Sequence, residues 1–201
     1  MSSANEFDVI VIGAGIAGAS VAYRLSTQVR VMVLERESQP GYHSTGRSAA
    51  MFMETYGTPQ IQALTRAGRG FFEQAQSSGF TEQPVLHPRG CIYVARPDQK
   101  EELDTMYAQA LALSPNVEFI DPDKIVDMAP CMKKELLYGG VLERNAEDID
   151  VDVLHQGYLK GMRKNGAALK NNAEVVQCQR IEDKWQVSLA NGESFWCKTL
   201  V

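Results

Sequence analysis

Ten residues near the N-terminus, Val9-Ile10-Val11-Ile12-Gly13-Ala14-Gly15-Ile16-Ala17-Gly18, constrain this chain more than any other stretch. The run over 8–12 is dense in Val and Ile, the pattern of a strand buried on both faces. Glycines follow at 13, 15 and 18, and residues 16 to about 27 read as a helix in which Ala17, Ala19 and Ala22 permit close packing. A second apolar run, 29–35, ends in Glu35. Strand, turn, helix and strand predict a βαβ unit with a right-handed crossover.

This arrangement has a chemical reading. Gly13 permits a tight turn, Gly15 has no side chain to hold a pyrophosphate off the backbone, and Gly18 lets the helix approach the strand. The helix N-terminus adds free N–H groups and the positive end of its dipole. A carboxylate at Glu35 accepts hydrogen bonds from both hydroxyls of an adenosine ribose and repels a 2′-phosphate, which argues against NADP. A glycine turn without a ligand is the competing reading, disfavoured because strand, helix, second strand and terminal acid are all in place. The fingerprint leaves FAD and NAD open. An NAD dehydrogenase would continue with further βα units, whereas here a polar loop and a long helix follow, a layout suited to an extended cofactor.

The loop over 36–48 contains Pro40-Gly41 and Ser44-Thr45-Gly46. Thr58 as N-cap and Pro59 in the first turn open a helix with Ile61, Leu64, Gly68, Phe71, Phe72 and Ala75 on its apolar face, ended by Gly79. The character then changes. Residues 84–86 and 90–95 predict a strand pair. Asp98 with Glu101 predicts a helix through about 113, Asp121-Pro122 a short helix stopping before Pro130, and 138–142 a strand. Residues 152–164 read as a helix closed by Gly166, 168–176 as a strand, and 184–189 with 194–201 as a hairpin about Asn191-Gly192. The fold class is therefore α/β. Residues 6–80 and 146–201 are expected to form a discontinuous nucleotide-binding domain, and 81–145 the first part of an inserted α+β domain. Residues 195–201 read as a strand entering an interior with no turn after it, so a C-terminal half is expected to follow.

Composition narrows the partners. Net charge is −5 with no basic block, which speaks against nucleic acid. Cys91, Cys131, Cys178 and Cys197 are scattered, as are His43, His87 and His155, so neither a metal site nor a disulfide frame is predicted. Free thiols fit a reducing, cytoplasmic setting. No apolar run approaches the ~18 residues of a transmembrane segment, and no secretory signal precedes the first strand.

The stretch Gly41-Tyr42-His43-Ser44-Thr45-Gly46-Arg47-Ser48-Ala49-Ala50, taken with DVIVIGAGIAGAS and VLERESQP, is similar to the D-amino-acid oxidase/glycine oxidase class of FAD-dependent oxidoreductases. Within that class it most resembles the D-arginine dehydrogenase branch. The likeness continues through Tyr56-Gly57-Thr58-Pro59-Gln60, Asp148-Ile149-Asp150 and Leu154-His155-Gln156-Gly157-Tyr158-Leu159 and is weakest over about 80–145. It implies a Rossmann-type FAD-binding domain with an inserted α+β substrate domain, and FAD as cofactor. It adds Arg36, Ser44, Thr45, Gly46, Arg47, Ser48, Ala49, Ala50, Met51 and Val175 to Gly13, Gly15, Ala17, Gly18 and Glu35 as cofactor-binding residues. Arg47 has an equal alternative as a salt bridge fixing its loop, and Val175 also suits strand core.

The resemblance further implies hydride transfer from the substrate Cα to flavin N5, giving an imino acid. It assigns no catalytic side chain within these residues. The groups that bind the substrate carboxylate are expected beyond Val201, so the 201 residues alone are expected to be inactive. Tyr56, Met51 and Cys91 are the substrate-side candidates, with a tyrosine packed on the sheet as the alternative for Tyr56. Cys91 stands where the D-arginine dehydrogenase branch has a glutamate that recognises a cationic side chain, and Met51 replaces a histidine. Both changes favour a neutral or apolar D-amino acid. A secondary amine such as sarcosine, glycine itself, or a non-catalytic FAD-binding accessory subunit remain alternatives. The implied partners are a small amino-acid or amine substrate and, as one option for reoxidation, a membrane-associated electron acceptor.

Overall fold

The computed structural model describes residues 5–114 and 116–201. In chain order the elements are β1 (Glu6–Ile12), α1 (Ile16–Leu25), β2 (Val31–Leu34), β3 (Met51–Phe52), α2 (Pro59–Glu73), β4 (Leu86–Pro88), β5 (Cys91–Ala95), α3 (Lys100–Leu113), β6 (Val117–Ile120), α4 (Pro122–Met128), β7 (Gly139–Glu143), β8 (Glu147–Ile149), α5 (Val151–Lys164), β9 (Ala168–Lys170), β10 (Val175–Ile181), β11 (Lys184–Leu189) and β12 (Ser194–Leu200). They group into two units. One comprises Met1–Ser48, Ala75–Val85 and Asp150–Val201, the other Ala49–Gln74 and Leu86–Ile149.

The first unit carries a six-stranded sheet in the order β10-β11-β12-β1-β2-β9. β12, β1, β2 and β9 run parallel, and β10, β11 and β12 form an antiparallel meander. All four residues of β2 are buried, as its unbroken VMVL run requires. Phe7, Ile10, Met32, Leu34, Val187, Leu189, Phe195 and Cys197 form a single core. α1 and α5 pack together because α5 offers glycine where α1 presents a ring: a Cβ on Gly161 would lie 2.6 Å from Cδ2 of Tyr23. Tyr23, Phe80 and Tyr158 form a ring cluster with centroids 5.0 to 5.7 Å apart. The strand expected over 168–176 is two strands. At Asn172 (φ +52) the chain leaves β2, and the N–H groups of Asn172 and Ala173 donate to the carbonyls of Glu37 and Glu35 at 3.1 and 2.8 Å. Satisfying the backbone beyond the tip of β2 is what interrupts the strand.

The second unit holds two three-stranded sheets, β3-β8-β4 and β5-β7-β6. The strand pair expected from 84–86 and 90–95 does not form. Gly90 (φ +81) turns the chain, so β4 pairs with β8 while β5 pairs with β7. α3 packs Leu103 and Ala110 against Ala95, Val117 and Val141, and α4 places Ile125 on Ile120 and Leu142. Asp121 caps α4 by accepting from the Lys124 N–H at 2.9 Å.

α2 begins where the sequence predicts, with the Thr58 side chain accepting from the Ile61 N–H at 3.5 Å, but it stops at Glu73 rather than Gly79. Its apolar face is buried only in part. Phe72 meets Phe52 edge-on at 5.7 Å, while Ile61 and Leu64 are 46% and 74% exposed. Arg69 fastens the helix, bonding Glu54 at 2.5 Å and Glu147 at 2.8 Å beneath a cation–π contact to Phe52. These contacts draw α2 into the second unit, whereas Phe80, stacked on Tyr23 and Tyr158, draws 75–85 into the first. The units therefore divide at different points from the expected boundaries near 80 and 146.

Candidate functional site: a cavity at the glycine turn

The first unit has a cavity of about 510 Å³ at the C-terminal ends of β1 and β2. Four pieces of chain line it: Ile12, Gly13 and Gly15 of the turn; Leu34, Glu35 and Arg36 at the tip of β2; residues 41–45 of the following loop; and residues 173–175 leading into β10. This is the crevice outside the strand ends where open α/β sheets bind ligands.

Each glycine has its own task. Gly13 adopts φ +97, a left-handed conformation disfavoured for other residues, and its N–H donates to the Leu34 carbonyl at 2.8 Å. Gly15 is the cradle: a Cβ there would come within 3.1 Å of Thr45 Oγ1. Gly18 is the packing position, where a Cβ would lie only 1.9 Å from the Gly13 carbonyl oxygen. Ala17 is exposed on α1 and lies outside the cavity lining.

Glu35 is 8% exposed, and the backbone holds its carboxylate. Oε2 accepts from the Ala14 N–H at 2.8 Å and Oε1 from the Glu37 N–H at 3.0 Å. A carboxylate offers about four lone-pair sites, so both oxygens keep capacity for hydroxyl donors in the cavity. Arg36 lies at the rim and donates to Glu37 at 3.1 Å, and His43 Nε2 donates to the same Glu37 oxygen at 2.7 Å. The hydrogen bond from His43 is the main cause holding the Glu37 carboxyl below the usual carboxylate range.

The loop over 41–48 contributes in parts. Ser44 and Thr45 line the cavity, and the Thr45 hydroxyl accepts from the Ile16 N–H at 3.0 Å, at the N-terminus of α1. Gly46 lies so near Gly41 that a Cβ would be 2.6 Å from the Gly41 oxygen. Arg47 lies over the Tyr42 ring at 5.4 Å and forms no ion pair among the described residues. Arg47 and Ser48 stand outside the cavity lining, whereas Val175, the first residue of β10, is part of it. Ala49, Ala50 and Met51 belong to the second unit, where the Ala50 carbonyl accepts from the Ile149 N–H at 2.9 Å and Met51 pairs with Asp148.

The substrate-side candidates also lie in the second unit. Tyr56 is 60% exposed and so is not packed on the sheet. Cys91 on β5 stands opposite Glu143 on β7. Glu143, which the sequence reading missed, is 1% exposed and accepts from the Glu54 N–H at 2.7 Å and from the Thr55 hydroxyl. Burial, reinforced by the charge of Glu143, pushes the Cys91 thiol up. Tyr93 donates to Met53 Sδ at 3.6 Å, and burial raises its phenol while a hydrogen bond with Thr55 opposes the rise. Glu143 ends an otherwise apolar strand, GGVLE, and that placement was the available signal. His155 was also missed; it is buried on α5 behind the cavity.

Among the described residues, no group of three or more His, Cys, Asp and Glu side chains is placed to hold a metal ion, and no helix is long and apolar enough to cross a membrane. The lining fits an adenine dinucleotide: bare backbone at Gly15, hydroxyls at Ser44 and Thr45, an acceptor at Glu35 and the segment 173–175 along one side.

Comparison with known proteins gives a consistent picture. The DAO family, described as FAD dependent oxidoreductase, matches residues 8–201. The beta subunit of sarcosine oxidase from Rhodobacter capsulatus is 24% identical over 181 residues, covering 85% of this chain and 43% of that protein. Mitochondrial dimethylglycine dehydrogenase of Rattus norvegicus is 23% identical over 205 residues, covering 95% of this chain and 24% of that protein. Among solved structures, glycine oxidase from Geobacillus kaustophilus superimposes with a TM-score of 0.85 at 17% identity, over 98% of this chain and 54% of that one. The chain thus spans about a quarter to a half of the length of these proteins.

Proposed function

The chain belongs to the DAO family of FAD-dependent oxidoreductases, and from that premise we propose that it serves the oxidation of a small amino acid or amine at its carbon–nitrogen bond, with a neutral or apolar substrate side chain. FAD is the cofactor, and when bound it supplies the hydride acceptor. The chain's own residues hold it. The glycine turn and the first N–H groups of α1 meet the pyrophosphate, Glu35 the ribose, and the backbone at 173–175 the adenine.

One observation carries the preference for a neutral side chain. Glu143, the carboxylate opposite Cys91, is committed to the Glu54 N–H and the Thr55 hydroxyl. A guanidinium brought to Cys91 would meet a thiol that burial and Glu143 push toward its neutral form, and an acid only 1% exposed and so closed to direct contact, and would lack the charge-assisted bond it needs. Tyr56 and Met51 complete this reading as the neutral, adaptable surface on the substrate side. The first substrate class is a D-amino acid of the methionine or leucine type. The second is a secondary amine such as sarcosine, which the name of the sarcosine oxidase relative favours; that of the dimethylglycine dehydrogenase relative points to an N-methylated glycine more broadly.

Anaerobic bleaching of the purified full-length flavoprotein separates these. D-Methionine or D-leucine bleaching the flavin faster than D-arginine supports the neutral class, and the reverse order overturns it. Sarcosine bleaching faster than any D-amino acid selects the second class. No bleaching by either selects a non-catalytic FAD-binding accessory role. We place the protein in the cytoplasm, a reading supported by its four free cysteines. A membrane-associated acceptor for reoxidation is part of the same proposal, tested by whether a soluble quinone analogue outpaces oxygen.

A further inference from the structure

His155 lies on α5 with 3% of its surface exposed and does not line the cavity. Its Nε2 is 2.8 Å from the Ala14 carbonyl oxygen. A carbonyl only accepts, so Nε2 carries a proton and donates it. The neighbouring peptide, on the other side of the Ala14 Cα, donates the Ala14 N–H to Glu35 at 2.8 Å. On the ring's other side is Gly41, at φ +77, where a Cβ would stand 2.8 Å from Cε1 and 3.0 Å from Nδ1. The Gly41 carbonyl accepts from the Gly46 N–H at 2.7 Å, and between them Thr45 reaches the Ile16 N–H at 3.0 Å. One imidazole is thus wedged between the glycine turn and the 41–46 loop, which form facing parts of the cavity wall.

From this geometry we infer that His155 is a positioning residue for the cofactor. Its Nε2 proton fixes the orientation of the Ala14–Gly15 peptide, which leads into the N-terminus of α1, and through the shared Ala14 Cα it steadies the preceding peptide whose N–H holds the Glu35 carboxylate. Its ring sets the spacing of the 41–46 loop. An apolar side chain of similar volume would fill the space but leave the buried Ala14 carbonyl unpaired, and the peptide would rotate to find a donor. The inference rests on the cavity being the dinucleotide end of the FAD site.

The test compares wild type with His155→Gln, which can present an N–H near the place of Nε2, and His155→Met, which fills the space without a donor. FAD is titrated into cofactor-free protein by flavin fluorescence, and unfolding midpoints are measured without FAD. We expect His155→Met to bind FAD roughly 10-fold or more weakly and His155→Gln to remain within about 3-fold of wild type. Equal binding by His155→Met and wild type overturns the inference, as does an equal loss in both variants, which would indicate packing alone. Should His155→Met not fold, His155→Gln decides: near-wild-type binding supports the role and a tenfold loss overturns it. Wild-type protein that binds no FAD removes the reading of the cavity itself, a separate result.

Discussion

Replacing Gly18 by alanine tests how the glycine turn is built. The new methyl would lie 1.9 Å from the Gly13 carbonyl oxygen, 3.1 Å from its carbon and 3.2 Å from Cγ1 of Val11. To reach ordinary contact, α1 and the turn must separate by roughly 1.5 Å. Overpacking a core typically costs about 1–3 kcal/mol, and a clash with backbone belongs at the upper end because no rotamer relieves it. Alanine returns about 1 kcal/mol of helix propensity. The net expectation is a loss of about 2 kcal/mol, read by urea unfolding of cofactor-free protein, with weaker FAD binding because the N–H groups of α1 move. Gly70→Ala in α2 is the matched control. Its Cβ meets nothing within 4 Å, so the same substitution should be neutral or stabilise by up to about 1 kcal/mol. If Gly18→Ala is as stable as wild type, the close approach of helix and turn is not what requires glycine there.

Other outcomes follow from the same contacts. Arg69→Met should destabilise the second unit by about 3 kcal/mol, because Glu54 and Glu147, 16% and 20% exposed, lose their shared cation; adding Glu54→Gln should recover part of the loss in thermal unfolding. Glu143→Gln should cost about 1–3 kcal/mol, since the amide nitrogen cannot accept from the Glu54 N–H or the Thr55 hydroxyl. Asp8 is held below its ordinary range, first by Lys198 and then by the Arg30 N–H, so the stability it supplies is present above the unfolded value of about 3.9 and lost as pH falls through the lower folded value. Acid unfolding of Asp8→Asn should lack that component. In a thiol titration, exposed Cys131 should react first, exposed Cys178 next because partial burial raises its thiol, half-buried Cys91 more slowly because burial and Glu143 both raise its thiol, and buried Cys197 only on unfolding.

The first βαβ unit was readable because its signals are local. Gly13 and Gly18 answer to each other within a few residues, and the VMVL run of β2 admits no solvated face, although the neighbour of Gly15 is Thr45, later in the chain. The caps Thr58 and Asp121 were legible for the same reason. The pairing partners were not. β4 and β5 are neighbours in sequence, yet each pairs with a strand near 140–149, and only the positive φ at Gly90 separates them. The break near Asn172 depends on carbonyls of Glu35 and Glu37 more than 130 residues earlier in the chain. Glu143 and His155 escaped notice for a related reason: each looks like an isolated polar residue on a buried element, and its meaning comes from distant backbone at Glu54 or Ala14. Arg47 shows the limit of a motif. The stretch marks the loop, but the side chain lies over Tyr42 rather than in an ion pair or in the cavity lining.

In the proposed function FAD sits with its adenosine at Glu35. Displacement of bound FAD by adenosine nucleotides tests this most directly, using cofactor-free protein reloaded with FAD and the return of flavin fluorescence as the signal. ADP should displace FAD, whereas 2′-phospho-ADP should fail at the same concentration, because its added phosphate would face the buried Glu35 carboxylate. Equal displacement by both nucleotides, or FAD binding that neither disturbs, would contradict the placement of the adenosine.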